Sequence, residues 1–224
     1  MAKKSSIRLK NKNLRYFANG LSLFEYSLKE NLKYPWYDDF FVVSDCPEIE
    51  EICKKYNVIF IKEPSELAKD NSSWNVIYYI IKATGIFADD ILVYVPTTVP
   101  LRLSKDIKEA LTLYKDNIND CDSVVSVCKC SEPPEWSFKL DKKGYLDIER
   151  LPMTSQKLEQ YYHLNGAIYI SNISNLTVFD GYFNGRVLPY IMPYERSINI
   201  DSNQDFELAQ YYYRKKLGSD LVWV

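Results

Sequence analysis

Hydrophobic and polar positions along the chain follow two alternating rhythms. Short apolar runs at Phe40–Val43, Val58–Ile61, Ile91–Val95 and Ser123–Val127 are bounded by polar or turn residues. Runs of that length predict strands buried on both faces. Between them lie Leu21–Asn31, Glu48–Tyr56, Trp74–Thr84 and Ser104–Asn117, where apolar residues recur every three to four positions. That period predicts helices. Ser104 stands where an N-cap is expected, and Gly85 where a helix stops. Strands alternating with helices predict βαβ units. The expected fold class is therefore a Rossmann-like α/β domain, its sheet mostly parallel and covered by helices on both faces.

Past Pro133 the rhythm changes. Residues 133–147 suggest a short hairpin turning at Lys143-Gly144, and residues 150–162 are polar. Ala167–Ile170 and Leu188–Met192 predict further strands, and a helix from about Asn203 to Lys216 closes the chain. With no repeat or linker in view, residues 1–224 read as a single domain in which about 133–185 form an extension.

One segment stands out. From Ser197 to Asp201 the alternation predicts a strand end, with Ile198 and Ile200 facing one way and Asn199 and Asp201 the other. Ser202 then suits an N-cap and Asp205 the first turn of a helix. Two oxygen-bearing side chains leaving a strand beside a helix start can hold a hard cation such as Mg²⁺. The same spacing also suits two polar residues that only solvate a strand edge. Ligands of open α/β sheets bind beyond the carboxyl ends of the strands. The polar tips there are Ser44-Asp45, Pro96-Thr97-Thr98 and Asn199–Asp201, which points to one crevice.

Composition narrows the partners. Against 28 basic residues stand 30 acidic ones, a net charge of -2, so no overall field draws the chain to nucleic acid or membrane. No apolar run approaches the ~20 residues that span a bilayer, and Met1–Ser6 does not resemble a signal peptide. The five cysteines form no CxxC pair, which suits reduced thiols in a cytoplasmic protein. With His163 as the single histidine, His-based catalysis is not expected.

Several motifs then fall into a known order. Lys12-Asn13-Leu14 looks like the end of an ARxxSKxxPxKN signature. Val43-Ser44-Asp45 resembles VSTD. Residues 64–70, with Ser72-Ser73 just after them, are similar to RPAELAxD. Residues 96–102 are similar to QPTSPLR, 122–127 to DSVVSV, 165–169 to NGAIY and 195–201 to ERSxDID. In this order the chain resembles the acylneuraminate cytidylyltransferases, which make CMP-activated sialic, pseudaminic and legionaminic acids. The resemblance implies a Rossmann-like fold and a homodimer held by the extension. It also implies transfer of CMP from CTP to a nine-carbon acid sugar with Mg²⁺ or Mn²⁺ as cofactor. By the same resemblance Lys12 and Asp201 are catalytic, with Lys12 on the triphosphate. Asp201 and Asn199 hold the metal. Ser6, Asn13, Ser72, Ser73 and Arg102 line the nucleotide, and Asn165 and Tyr162 meet the sugar. Transfer to a different acid sugar such as the eight-carbon Kdo, and a non-catalytic homologue that keeps the fold, are the alternatives.

The chain also departs from the family pattern. The family opens with an apolar strand that runs into its phosphate loop, whereas Ala2–Ile7 here take the place of the loop itself. Three readings of that difference are open: further coding sequence upstream, a degraded relative, or a shifted pairing of residues 1–9. Ile7 stands for a lysine, Val95 for a glutamine, and Asn199 for the first aspartate of a DxD pair. A neutral ligand binds Mg²⁺ more weakly than a carboxylate, so low activity is expected.

Overall fold

Among the described residues, six strands form the central layer, in two blocks. The computed structural model describes residues 9–33, 35–64, 66–67, 73–148, 158–179 and 181–218. The first block pairs β3 (Phe41–Ser44) with β4 (Ile59–Lys62), parallel and joined through α2 (Pro47–Lys55). The second block has four strands. In spatial order they are β10 (Val187–Met192), β6 (Ser123–Lys129), β9 (Tyr162–Asn172) and β5 (Ile91–Tyr94). Two small hairpins lie outside this layer: β1 (Tyr16–Ala18) with β2 (Leu21–Ser22), and β7 (Lys139–Leu140) with β8 (Leu146–Asp147).

The sheet is more mixed than the alternation of strands and helices predicts. β10 runs parallel to β6, but β9 runs antiparallel to both β6 and β5. Ser123–Lys129 ends at the tip side of the sheet, and the chain re-enters from there as β9 after the extension. A strand entering from that side must point against its neighbours. β9 also shifts register against β6 between Val125 and Val127. The irregularity coincides with Gly166, whose φ of 72° lies in the left-handed region that favours glycine.

The helices follow the predicted periods closely. α1 (Leu23–Leu32) is capped by Ser22, whose hydroxyl accepts from the Glu25 amide at 3.2 Å. α3 (Ser73–Thr84) and α4 (Ser104–Asp116) come next, then α5 (Ile173–Phe179) and α6 (Asn203–Gly218). Ser104 is not the cap of α4 but its first residue. Leu103 takes the cap position, and the Asp106 carboxylate accepts from the Leu103 amide at 2.8 Å. The main core lies between α4 and the second block, around Ile107, Tyr114, Val124, Ile168, Ile170 and Met192. A second core joins Phe17, Leu23, Ile198, Ile200, Phe206 and Tyr213, which packs α6 against the first hairpin.

No described strand joins the two blocks. Among the described residues β3 pairs only with β4 and β5 only with β9. Both strands line one cavity of about 470 Å³, closed on its sides by residues of α1, α3 and α4. The indole Nε1 of Trp36, which also lines it, is buried without a hydrogen-bond partner among the described residues. Residues 1–8, which the family pattern sets against its phosphate loop, lie outside the described residues.

Candidate active site

The tip of β5 is the hub of the site. Four separate segments are tied to Pro96-Thr97-Thr98. Thr97 Oγ1 donates to Asn13 Oδ1 at 3.1 Å, and Ser27 Oγ donates to the Thr97 carbonyl at 3.0 Å. Arg102 Nη1 donates to the Pro96 carbonyl at 3.0 Å, and the Ile200 amide donates to the Thr98 carbonyl at 2.8 Å. One tip therefore fixes both the turn that carries Lys12 and the segment that carries Asp201.

Lys12 begins a single 3-10 turn, Lys12–Leu14, entered through Asn11 at φ 54°. Its ammonium donates to the Ile200 carbonyl at 2.7 Å and to Asp201 Oδ1 at 3.1 Å. The Lys12 side chain is 11% exposed and that of Asp201 30%, so the pair is only partly buried, with the carboxylate the more open of the two. The segment holding Asp201 is extended but forms no ladder among the described residues. Its alternation still holds in burial, with Ile198 and Ile200 in the core, Asn199 exposed and Asp201 half-buried. The expected strand end is thus an extended strap, held to the sheet through Thr98.

Beyond Asp201 the helix start is built as the sequence suggests. Asp205 Oδ2 accepts from the Ser202 amide at 2.7 Å and from the Asp201 amide at 3.0 Å, while Ser202 Oγ accepts from the Asp205 amide at 3.2 Å. This is a reciprocal cap. Burial alone would raise the Asp205 pKa. The Ser202 hydroxyl, the two amides and the nearby Lys12 outweigh it and hold that carboxyl below its ordinary value.

Two expected site residues lie inside the fold. Arg102 is 2% exposed. Besides Pro96, its guanidinium donates to the Ala167 carbonyl at 2.8 Å and to Asn31 Oδ1 at 3.0 Å. Burial lowers its pKa to about 10, against the pull of Asp106 and Glu30. It braces the β5 tip from beneath. Asn165 is also 2% exposed. Its Oδ1 accepts from Ser126 Oγ at 2.6 Å and from the Ala167 amide at 3.1 Å, and its Nδ2 donates to Ser197 Oγ at 2.9 Å. These bonds clamp the β9 irregularity to β6 and to the start of the strap. Asn165 is thus tied to the strap through Ser197.

The remaining expectations divide. Asn13 is buried on the β5 tip. Asn199 lies beside Gly166, where a Cβ would stand 3.5 Å from its Nδ2. Tyr162 is exposed at the start of β9. Ser44 of the third expected tip is buried, and its Oγ accepts from the Cys46 amide at 3.1 Å. Ser73 is the first residue of α3, while Ser6 and Ser72 lie outside the described residues.

Sequence reasoning passes over Arg15. Its Nη1 donates to Asn203 Oδ1 at 2.7 Å, and its guanidinium lies 4.8 Å from the centre of the Phe206 ring. This puts a second cation at the start of α6, close to Asp201. The only signal is its spacing of three from Lys12. The sequence equally hides the pair of Arg196 with Asp106 that anchors the other end of the strap, at 2.8 and 3.1 Å.

Oxygen atoms of Ile200 and Asp201 converge on one positive group. A carbonyl and a carboxylate are the donors a hard cation takes when phosphates and waters complete its shell, so Mg²⁺ or Mn²⁺ fits this set. Asn199 offers a further side-chain oxygen two residues away.

The α/β sheet with its flanking helices is a nucleotidyltransferase fold. Two solved structures share that fold. One is a CMP:2-keto-3-deoxy-manno-octonic acid synthetase complexed with CTP, with a TM-score of 0.71, 13% identity and 96% of each chain covered. The other is the 4-diphosphocytidyl-2C-methyl-D-erythritol synthase of Anaerococcus prevotii, with a TM-score of 0.61, 14% identity, and 90% of this chain and 93% of that one covered. More specifically, the chain belongs to the cytidylyltransferase family, whose model matches residues 1–223.

Among curated relatives it is 30% identical over 218 residues to the N-acylneuraminate cytidylyltransferase of Escherichia coli O18:K1:H7, covering 96% of this chain and 51% of that protein. It is 26% identical to the pseudaminic acid cytidylyltransferase of Campylobacter jejuni serotype O:2, over 95% of this chain and 94% of that one. The chain spans about half the length of the N-acylneuraminate enzymes it matches.

Proposed function

We propose that the chain transfers CMP from CTP to a nine-carbon acid sugar of the nonulosonic type, releasing diphosphate. The observation that carries this reading is the meeting of Lys12, Asp201 and the Ile200 carbonyl above the β5 tip. The N-acylneuraminate and pseudaminic acid relatives support the choice of sugar class.

In this reaction the anomeric hydroxyl of the sugar attacks the α-phosphorus and loses its proton. A new P–O bond forms, and the bond to the bridging oxygen of the diphosphate breaks. Such a transfer asks little covalent chemistry of the protein. It asks for positioning and for positive charge where phosphate charge develops. Lys12 supplies one charge from a turn that Asn13 fixes to Thr97. Arg15 supplies a second at the start of α6. Asp201, the Ile200 carbonyl and Asn199 would hold Mg²⁺ or Mn²⁺, which when bound neutralises phosphate oxygens. Exposed Tyr162 and Leu164 on the first half of β9, with Tyr161 just before it, offer an apolar surface suited to a second copy in a homodimer. A cytoplasmic location suits a reaction that consumes CTP.

The test is diphosphate release from CTP and Mg²⁺ with a panel of nonulosonic acids and Kdo. Release with a nine-carbon sugar is expected. Release with Kdo alone overturns the sugar class. No release with any sugar, together with no thermal protection by CTP, leaves the second reading, a non-catalytic homologue. That reading draws on Asn199 standing where a second carboxylate would strengthen the metal site.

A further inference from the structure

We propose that Lys12 is a built-in counter-cation, which keeps a divalent metal off Asp201 until a triphosphate draws it away. Metal and nucleotide would then enter together, with no metal-only state before them. The inference rests on the site reading given above and adds an order of binding to it.

The geometry is specific. The Lys12 ammonium is within hydrogen-bond distance of the two oxygens that a metal at this site would use. An ammonium 2.7 Å from a carbonyl and 3.1 Å from a carboxylate stands where a divalent ion touching both would stand. The two cannot share that point, because like charges in contact repel strongly wherever water is thin. With the lysine side chain only 11% exposed, salt screens the repulsion little. Mg²⁺ also gives up its waters reluctantly, so a site already neutralised by lysine offers it little gain.

A triphosphate changes the balance. It brings several negative charges and many acceptor oxygens, and an ammonium forms short, strong hydrogen bonds to phosphate. Only the side chain has to move. The Lys12 backbone is fixed by its turn, by the Asn13–Thr97 bond and by the Leu23 amide donating to the Arg15 carbonyl at 2.9 Å. A four-carbon stem on a fixed backbone can swing its charge from the Asp201 oxygens to a phosphate. The vacated oxygens then face a metal that the same phosphates deliver. One lysine thus serves the free state as counter-ion and the loaded state as phosphate ligand.

The experiment reads metal binding directly, without turnover. Mn²⁺ is titrated by electron paramagnetic resonance into the free protein, and into the protein with inorganic triphosphate or with a non-hydrolysable CTP analogue. The wild type is expected to bind Mn²⁺ at least tenfold more weakly alone than with either phosphate compound, after correction for metal held by that compound in solution. Lys12→Met is expected to bind Mn²⁺ alone at least tenfold more tightly than the wild type. Lys12→Arg, which keeps the charge, stays weak. Asp201→Asn loses the site in every state.

Equal Mn²⁺ affinity for wild type and Lys12→Met in the absence of phosphate overturns the proposal. If Lys12→Met fails to fold, tight Mn²⁺ binding by the free wild type at a site lost in Asp201→Asn overturns it equally. A protein that shows the lysine effect on Mn²⁺ but binds no CTP keeps this inference and loses the proposed reaction, so the two failures are distinct.

Discussion

Arg196 closes both arms of its guanidinium on the carboxylate of Asp106, at 2.8 and 3.1 Å, with Asp106 fully buried. The pair pins the start of the strap to the first turn of α4. The same carboxylate caps that helix through the Leu103 amide. Removing the arginine leaves this buried carboxylate without its ion-pair partner, held by the Leu103 amide and the Tyr190 hydroxyl. Arg196→Met is therefore expected to cost about 3–5 kcal/mol, read as a lower urea midpoint at unchanged slope. Replacing both partners with apolar residues should cost less than the single change.

Asn165 satisfies donors and acceptors on three segments at once. Asn165→Ala leaves the Ser126 and Ser197 hydroxyls and the Ala167 amide in need of new partners. A loss of about 1–3 kcal/mol is expected, with a fall in kcat as the strap carrying Asp201 loosens. Asn165→Ala behaving like wild type in both measurements would mean that the clamp carries no load.

Asn199 is exposed beside Gly166 and adds no charge to the metal ligands. Asn199→Asp should tighten the metal requirement of the reaction by about tenfold, near 1.4 kcal/mol. The measurement is the Mg²⁺ concentration giving half-maximal diphosphate release. A change in the opposite direction would place Asn199 outside the metal shell.

Asp205 gives a signed pH effect. Burial pushes its pKa up, but Ser202, the Asp201 and Ser202 amides and Lys12 together hold the folded value below the ordinary 3.8. Its contribution is present at neutral pH and is lost as pH falls through the depressed folded value. The stability gap between wild type and Asp205→Asn should thus be flat above about pH 5 and shrink below about pH 4. A gap that widens in acid would contradict this assignment.

Much of this architecture is legible in the sequence. The helical periods of residues 48–56 and 104–117 have a one-sided apolar face, and burial follows it at Ile49, Cys53, Ile107, Ala110 and Tyr114. The capping pair of Ser202 and Asp205 is equally local. β9 is harder to read. Only Ala167–Ile170 looks like a strand, yet the element runs from Tyr162 to Asn172. Its first residues are exposed, and Gly166 breaks the alternation on which a strand prediction depends.

The antiparallel direction of β9 is a matter of tertiary pairing, which no local window contains. Arg102 and Asn165 are set against ligands only by the family resemblance. Their burial follows from hydrogen bonds to residues 65 and 71 or 39 and 32 positions away. Lys12 and Asp201, 189 positions apart, are brought together by tertiary structure, and only the family resemblance pairs them beforehand.

The divided sheet also decides where the molecule breathes. Among the described residues, backbone amides on the facing edges of β3 and β5 have no ladder to protect them, whereas those of β6 lie between two paired neighbours. Hydrogen exchange should therefore be slowest in β6, with the two-stranded block of β3 and β4 opening as a unit at a lower free energy than global unfolding.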